Sequence, residues 1–229
     1  MLHKTKGLVL HYLPYRETSI IVRIYTEKFG LQSYIENGVR SARGKNKIAL
    51  FQPMSLLDLV VYHSEKKDLH RLSEVKCSAP LQSIPFDVRK SSISIFINEV
   101  LNKTLHEQSE NEALFFFLYK SILTLDHQLE HFENFHLHFL AQYSGYLGFA
   151  PQNATEIETQ FREFAVNIPI EEDTKLALNT LFKANFDTHM PISKHFRAHI
   201  LEILVAFYRL HVEHFGDLKS LSVLKAVFS

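Results

Sequence analysis

The chain has 229 residues, 46% of them hydrophobic and 22% charged, a balance that excludes disorder and leaves room for one large domain or two ordinary ones. Its single cysteine, Cys77, excludes an intramolecular disulfide and any cysteine-based zinc ribbon. The zero net charge is a cancellation, because residues 1–80 carry 13 Lys and Arg against 7 Asp and Glu, whereas residues 81–229 carry 12 against 18. Halves at +6 and −6 point to two domains with different partners.

The opening stretch, Met-Leu-His-Lys-Thr-Lys-Gly7, lacks the apolar core of a signal peptide. Apolar runs such as Ala113–Tyr119 fall far short of the roughly 18 residues of a membrane span, so a soluble cytoplasmic protein without a membrane partner is expected. Residues 1–80 then alternate with the period of strands. Ile20, Val22 and Ile24 share one face of Thr18–Tyr25, and Leu31, Ile35 and Val39 share one face of Leu31–Val39. Met54–Tyr62 repeats the pattern, and Lys6–Tyr12 and Leu69–Cys77 bring the set to five strands. Five short strands in this length predict a small barrel of the OB type.

The texture changes at Pro80–Pro85. Ile93, Phe96, Ile97, Val100 and Leu101 recur at helical spacing, as do Phe115, Leu118, Ile122, Leu125, Leu129 and Phe132. A third helix is predicted through Phe135–Leu147, stopped by Gly145–Pro151. Residues 152–172 read as an irregular insert. Helical spacing returns over 174–186, and Ser193 is placed to cap a last long helix bearing Ile200, Ile203, Leu204 and Phe207. The predicted fold is therefore α+β, with a five-stranded barrel over 1–80 and an all-helical domain over 81–229.

The chemistry sits mainly in the first half. Arg40-Ser-Ala-Arg-Gly-Lys-Asn-Lys47 holds four cations in eight residues and no acid. Long cationic side chains on a glycine-containing loop can follow a phosphate backbone, because they need reach and not fixed geometry. Lys4, Lys6, Arg16, Arg23 and Lys28 extend the set, and Tyr34, with Tyr25, is a candidate for stacking bases. The same residues also fit a solvated charged loop over core aromatics, or a small barrel that binds peptides as a scaffold. His127, His131, His136 and His138 raise the alternative of a metal-dependent hydrolase. However, His127-Gln-Leu-Glu-His131 lacks the glutamate directly after the first histidine that a metalloprotease helix uses, and Phe132, Phe135 and Phe139 crowd the segment. No glycine-rich phosphate loop, nucleophile elbow or paired-carboxylate motif is present, so no enzyme, metal or cofactor is expected.

Several ordered motifs carry a resemblance. Gly7-Leu-Val-Leu10 precedes Tyr15-Arg-Glu-Thr-Ser-Ile-Ile-Val-Arg-Ile-Tyr-Thr26 and Lys28-Phe-Gly30. Gly38-Val-Arg40 opens the basic loop, Gln52-Pro53 precedes Leu56-Leu57-Asp58-Leu59, and Gly145-Tyr-Leu-Gly-Phe-Ala-Pro151 forms a glycine-proline turn. Arg197, Tyr208, His211 and Leu218-Lys-Ser-Leu221 follow. In this order the motifs resemble the bacterial RecO family over essentially the whole chain. The resemblance implies an OB fold followed by a helical domain. It implies binding of single- and double-stranded DNA, annealing of complementary strands, and help to RecA on DNA coated by single-strand-binding protein. It also implies RecR and the acidic C-terminal tail of single-strand-binding protein as partners, with Arg197, Arg209 and Lys219 as candidate residues for the tail. Many relatives carry a four-cysteine zinc module after the glycine-proline turn. Residues 152–172 contain no cysteine, so that module is not expected here.

Overall fold

In the computed structural model, which describes residues 1–41, 45–64 and 66–228, five strands close into a barrel. They are β1 (Leu2–Tyr15), β2 (Ser19–Thr26), β3 (Gly30–Glu36), β4 (Leu56–Tyr62) and β5 (Leu69–Ala79), in the order β1-β2-β3-β5-β4. Closure depends on the length of β1, whose first half pairs with β4 and whose second half pairs with β2. Gly7 lies where β1 serves both partners, opposite Thr26 and Leu57. A Cβ there would come within 2.6 Å of Ile24 and 2.8 Å of Leu59, so only glycine lets the two sheet halves approach. A register shift between Val9 and His11 bends the strand further. The one parallel pairing, β3 with β5, completes the barrel.

Alternation fills the interior. Val9, Ile20, Val22, Ile24, Tyr34, Leu57, Leu59, Val61 and Leu72 form its core, plugged from the β3–β4 connection by Val39 and Phe51. That connection also contains a single-turn helix, α1 (Lys45–Ile48), and a 3-10 turn over Ala49–Phe51.

Seven helices follow: α2 (Val88–Thr104), α3 (Glu112–His127), α4 (Phe135–Tyr146), α5 (Ala154–Glu163), α6 (Glu172–Lys183), α7 (Lys194–His211) and α8 (Ser220–Val227). The chain divides into two units, Met1–Phe86 with Leu105–Asp126, and Asp87–Thr104 with His127–Ser229. The first therefore takes in most of α3. Phe115 of α3 stacks on Tyr25, and Tyr119 hydrogen-bonds Ser78 of β5 at 3.0 Å. The buried Asp126 carboxylate accepts the N–H groups of Gln82, Ser83 and Ile84 at 2.7–2.9 Å, tying the segment after β5 to the end of α3. In the second unit, Thr104 of α2 meets the Tyr143 hydroxyl of α4 at 2.7 Å, and the Tyr208 hydroxyl of α7 donates to Leu140 O at 2.8 Å.

Two helical expectations are corrected. The second predicted helix does not reach Phe132, because α3 ends at His127 and His131 adopts a left-handed φ of 58°. Residues 152–172 are not irregular throughout, since Ala154–Glu163 forms α5. Its N-cap Asn153 accepts the Glu156 N–H, and Glu156 reaches back to the Gln152 N–H at 2.7 Å. Ile157 and Phe161 are buried as α5 packs on α6, and Glu158 bridges to Lys175 at 2.9 Å. No helix among the described residues is long and apolar enough to cross a membrane.

Candidate nucleic-acid interface

The strand registers put two rows of side chains across the outside of β1, β2, β3 and β5. His11 lies opposite Arg23, Arg23 opposite Ser33, and Ser33 opposite Leu69. One step along, Leu13 lies opposite Ile21, Ile21 opposite Ile35, and Ile35 opposite Arg71. All eight are exposed or half-exposed, while their in-strand neighbours Ile20, Val22, Tyr34, His70 and Leu72 point inward. No carboxylate occurs in either row. The surface is apolar and cationic, with Leu13 at 58% exposure, the Arg71 guanidinium at one corner and that of Arg23 within the first row. Such a face suits a single strand, whose bases pack on apolar surface while arginines meet the phosphates.

A cationic turn borders it. Arg16, between β1 and β2, holds a left-handed φ of 51° and stacks its guanidinium on the Tyr15 ring. Arg40 is fastened beside it, its backbone N–H donating to Thr18 O at 3.0 Å and its guanidinium to Arg16 O at 3.2 Å. Both arginine side chains remain exposed. The backbone thus gathers two cations at the mouth of the β1–β2 turn, fixed by hydrogen bonds to carbonyls and not by acids.

The other sequence candidates divide. Arg43 lies outside the described residues, and Lys45 is described only as the first residue of α1. Lys47 is bound to Glu36, Nζ to Oε1 at 2.5 Å, with the Glu36 side chain only 9% exposed. A cation neutralised in this way has less charge to offer a phosphate. Lys4, Lys6 and Lys28 come together in a separate groove of 430 Å³ with Lys76, interleaved there with Glu27, Asp58 and Glu74. Lys6 is paired with Asp58 at 2.9 Å and also donates to Ser78. This mixed-charge groove is a poorer match for a polyanion than the acid-free rows.

The base-stacking candidate is corrected. Tyr34 is 0% exposed, paired across the ladder with the equally buried Val22, and burial holds its hydroxyl far above the usual tyrosine range. Tyr25 is also buried. Alternation in β3 sets Leu31 and Ile35 on one face and Gln32, Tyr34 and Glu36 on the other, and the register with β2 turns the Tyr34 face inward. The β1–β2 and β3–β5 registers supply His11 and Arg71, which sequence reading missed. The signal was present, since Arg71 sits between two residues that the strand period turns inward.

In the second unit the three partner candidates do not converge. Arg209 is engaged by Gly216 O and by Asp217 at 3.0 Å, and the Lys219 backbone N–H donates to Glu99. Arg197 alone lines a cavity of 300 Å³ between α4, α7 and α8. Its Nε donates to Asn134 at 2.7 Å and its guanidinium lies 5.7 Å from the Phe228 ring centre. Lys194, His195 and Lys225 share the lining with Ala198, Leu201, Leu224 and Phe228, and no acid does. At its inner wall His136 is buried, and its pKa is pushed down to about 3 by that burial, by Arg197 and by His138. His127 is exposed and His138 buried, and among the described residues no group of three or more His, Cys, Asp or Glu could hold a metal ion.

Comparison with known proteins adds an independent line. Residues 1–81 match the family described as recombination protein O N terminal, and residues 85–222 match recombination protein O C terminal. The chain is 38% identical over 237 residues to the DNA repair protein RecO of Flavobacterium psychrophilum, with 99% of each chain covered. It is 37% identical over 241 residues to that of Phocaeicola vulgatus and 38% identical over 243 residues to that of Bacteroides fragilis, with 100% of each chain covered.

Proposed function

The chain belongs to the RecO family of DNA repair proteins, and from that premise we propose that it is a non-enzymatic mediator that anneals complementary DNA strands and helps RecA onto DNA coated by single-strand-binding protein. The observation that carries this reading is the acid-free face of β1, β2, β3 and β5 with the Arg16–Arg40 turn at its border. Arg16, Arg23, Arg40 and Arg71 grip phosphates there. Annealing follows from charge, since cations on each strand lower the repulsion that keeps two strands apart. Arginine contacts to phosphate carry little base information, so binding is nearly independent of sequence.

The α4–α7–α8 cavity fits the acidic tail of single-strand-binding protein. Its rim is cationic, its walls are apolar, and the surrounding unit is otherwise acidic enough to repel a random polyanion. Arg197 takes the tail's carboxylates, whereas Arg209, already paired with Asp217, contributes little. RecR is the expected second protein partner, in the cytoplasm.

Annealing of complementary fluorescent oligonucleotides, one coated with single-strand-binding protein from the same organism, tests this reading. The wild-type protein is expected to accelerate annealing at low salt. The Arg16→Ala/Arg23→Ala/Arg40→Ala/Arg71→Ala variant is expected to lose that acceleration while remaining folded. A folded wild-type protein that neither binds nor anneals DNA would replace the mediator with a peptide-binding scaffold.

A further inference from the structure

We propose that the barrel anchors a DNA strand by stacking one base on Tyr62, and leaves the bases over Leu13, Ile21 and Ile35 unstacked and free to pair with a complementary strand. This rests on the reading that the face of β1, β2, β3 and β5 carries DNA. It extends that face to β4 and supplies the stacking ring that the buried Tyr34 cannot offer.

The second row of the face does not stop at Arg71. Arg71 lies opposite Tyr62 of β4, and Tyr62 lies opposite Leu2 of β1. Val61 and Leu72, the next pair along, are buried, so Tyr62 and Arg71 point outward together. Tyr62 is 50% exposed. The exposed large apolar side chains on the five strands are Leu2, Leu13, Tyr62 and Leu69, and all four fall in these rows. Exposed apolar groups gathered on one face mark a binding surface. Past Tyr62 the character changes, with Val60 opposite Glu74 and then Asp58 opposite Lys76. Carboxylates repel a phosphate chain, so the path of the strand ends at Tyr62.

The remaining aromatic rings of the first three strands are committed elsewhere. Tyr25 stacks on Phe115, Phe29 stacks on His63, and Tyr15 lies under the Arg16 guanidinium. Tyr12 packs against the core and Tyr34 is part of it. Over Leu13, Ile21 and Ile35 a base therefore meets aliphatic groups, which have no π face and give weaker dispersion contact than a ring. A base that leaves this ridge to pair gives up little, whereas a base that leaves Tyr62 gives up a stack. Arg71, beside Tyr62, meets the phosphate next to the stacked base, so charge and stacking coincide at one end of the row. At the other end the Arg16–Arg40 turn offers charge alone.

Anisotropy with a labelled single-stranded oligonucleotide, 2-aminopurine emission from the same sequence, and annealing rates on the same proteins test this division. Tyr62→Leu is expected to lose about tenfold in affinity and the quenching of 2-aminopurine, while Tyr62→Phe keeps both. Leu13→Tyr, at an exposed position, is expected to bind severalfold more tightly and to anneal more slowly, because it adds a ring where bases should come free. If Tyr62→Leu binds like wild type while Arg23→Ala/Arg71→Ala loses affinity, the anchor is wrong and the DNA face stands. If Leu13→Tyr binds more tightly yet anneals as fast as wild type, release from the aliphatic ridge is wrong. If Arg23→Ala/Arg71→Ala also binds like wild type, the strand lies on another surface and both assignments fall.

Discussion

At the scale of single residues, this protein uses glycine and arginine where backbone and charge are constrained most. Gly30 opens β3 with a left-handed φ of 59°, and a Cβ there would meet the Ser109 and Glu107 carbonyl oxygens at 2.4 and 2.6 Å. The segment before α3 is thus held directly against the barrel, with the Leu31 N–H donating to Glu107 O at 2.9 Å. Gly30→Ala combines an unfavourable φ with a backbone collision, and we expect it to cost roughly 2–3 kcal/mol in urea denaturation. A variant as stable as wild type would show that the segment yields freely. Residue types were legible in the sequence, but their commitments were not. Lys47 reads as a free cation until its partner Glu36, eleven positions away, is placed beside it. Tyr34 reads as a surface aromatic until its register with Val22 turns it inward.

At the scale of elements, periodicity identified the five strands and most helices, because most of them bury one continuous apolar face. It failed where that face is short. In α5 only Ala154, Ile157 and Phe161 are buried, so the apolar signal is sparse, although the Asn153–Glu156 capping box marks its start. Helix α4 fails the pattern in the opposite sense. Phe135–Tyr143 is buried almost all round, including His136 and His138 at 1% and 3% exposure. Burial, helped by Arg197 and His138, lowers the His136 pKa to about 3, and burial lowers that of His138 to about 4. Both depressed values lie below that of an unfolded histidine, so the unfolded chain binds more protons as pH falls. The stabilisation is complete above about pH 6.5 and is lost progressively toward pH 4 and pH 3. Each histidine contributes about 1.4 kcal/mol per pH unit in that window, so two should remove about 4 kcal/mol between pH 7 and pH 5. Urea denaturation at the two pH values checks this, and a flat profile would mean that α4 opens to solvent.

At the scale of the whole molecule, the charge cancellation is the feature that organises function. The N-terminal half is net positive and the C-terminal half net negative, and the proposed function puts DNA on the barrel and protein contacts on the helical unit. The charge asymmetry was legible from sequence, as was the family, whose motifs lie in order along the chain. The surface itself was not. Sequence reading gathered nine cations of the first 80 residues into one set, whereas barrel closure puts Arg23 on the acid-free face, Arg16 and Arg40 at the cationic turn, and Lys4, Lys6 and Lys28 in the mixed-charge groove. His11 joins the face through the β1–β2 hairpin, and Arg71 only through the pairing of β3 with β5, which are not consecutive strands.

The central claim is that the face of β1, β2, β3 and β5, with its bordering turn, carries the DNA. The most direct test is the affinity for a single-stranded oligonucleotide as a function of salt, for wild type and for Arg23→Ala/Arg71→Ala. Four phosphate contacts predict a slope of log K against log salt of roughly −3 for wild type, and the double variant should bring it near −1.5. The same slope for both proteins, with wild-type affinity in the variant, would contradict the assignment and move the DNA to another surface.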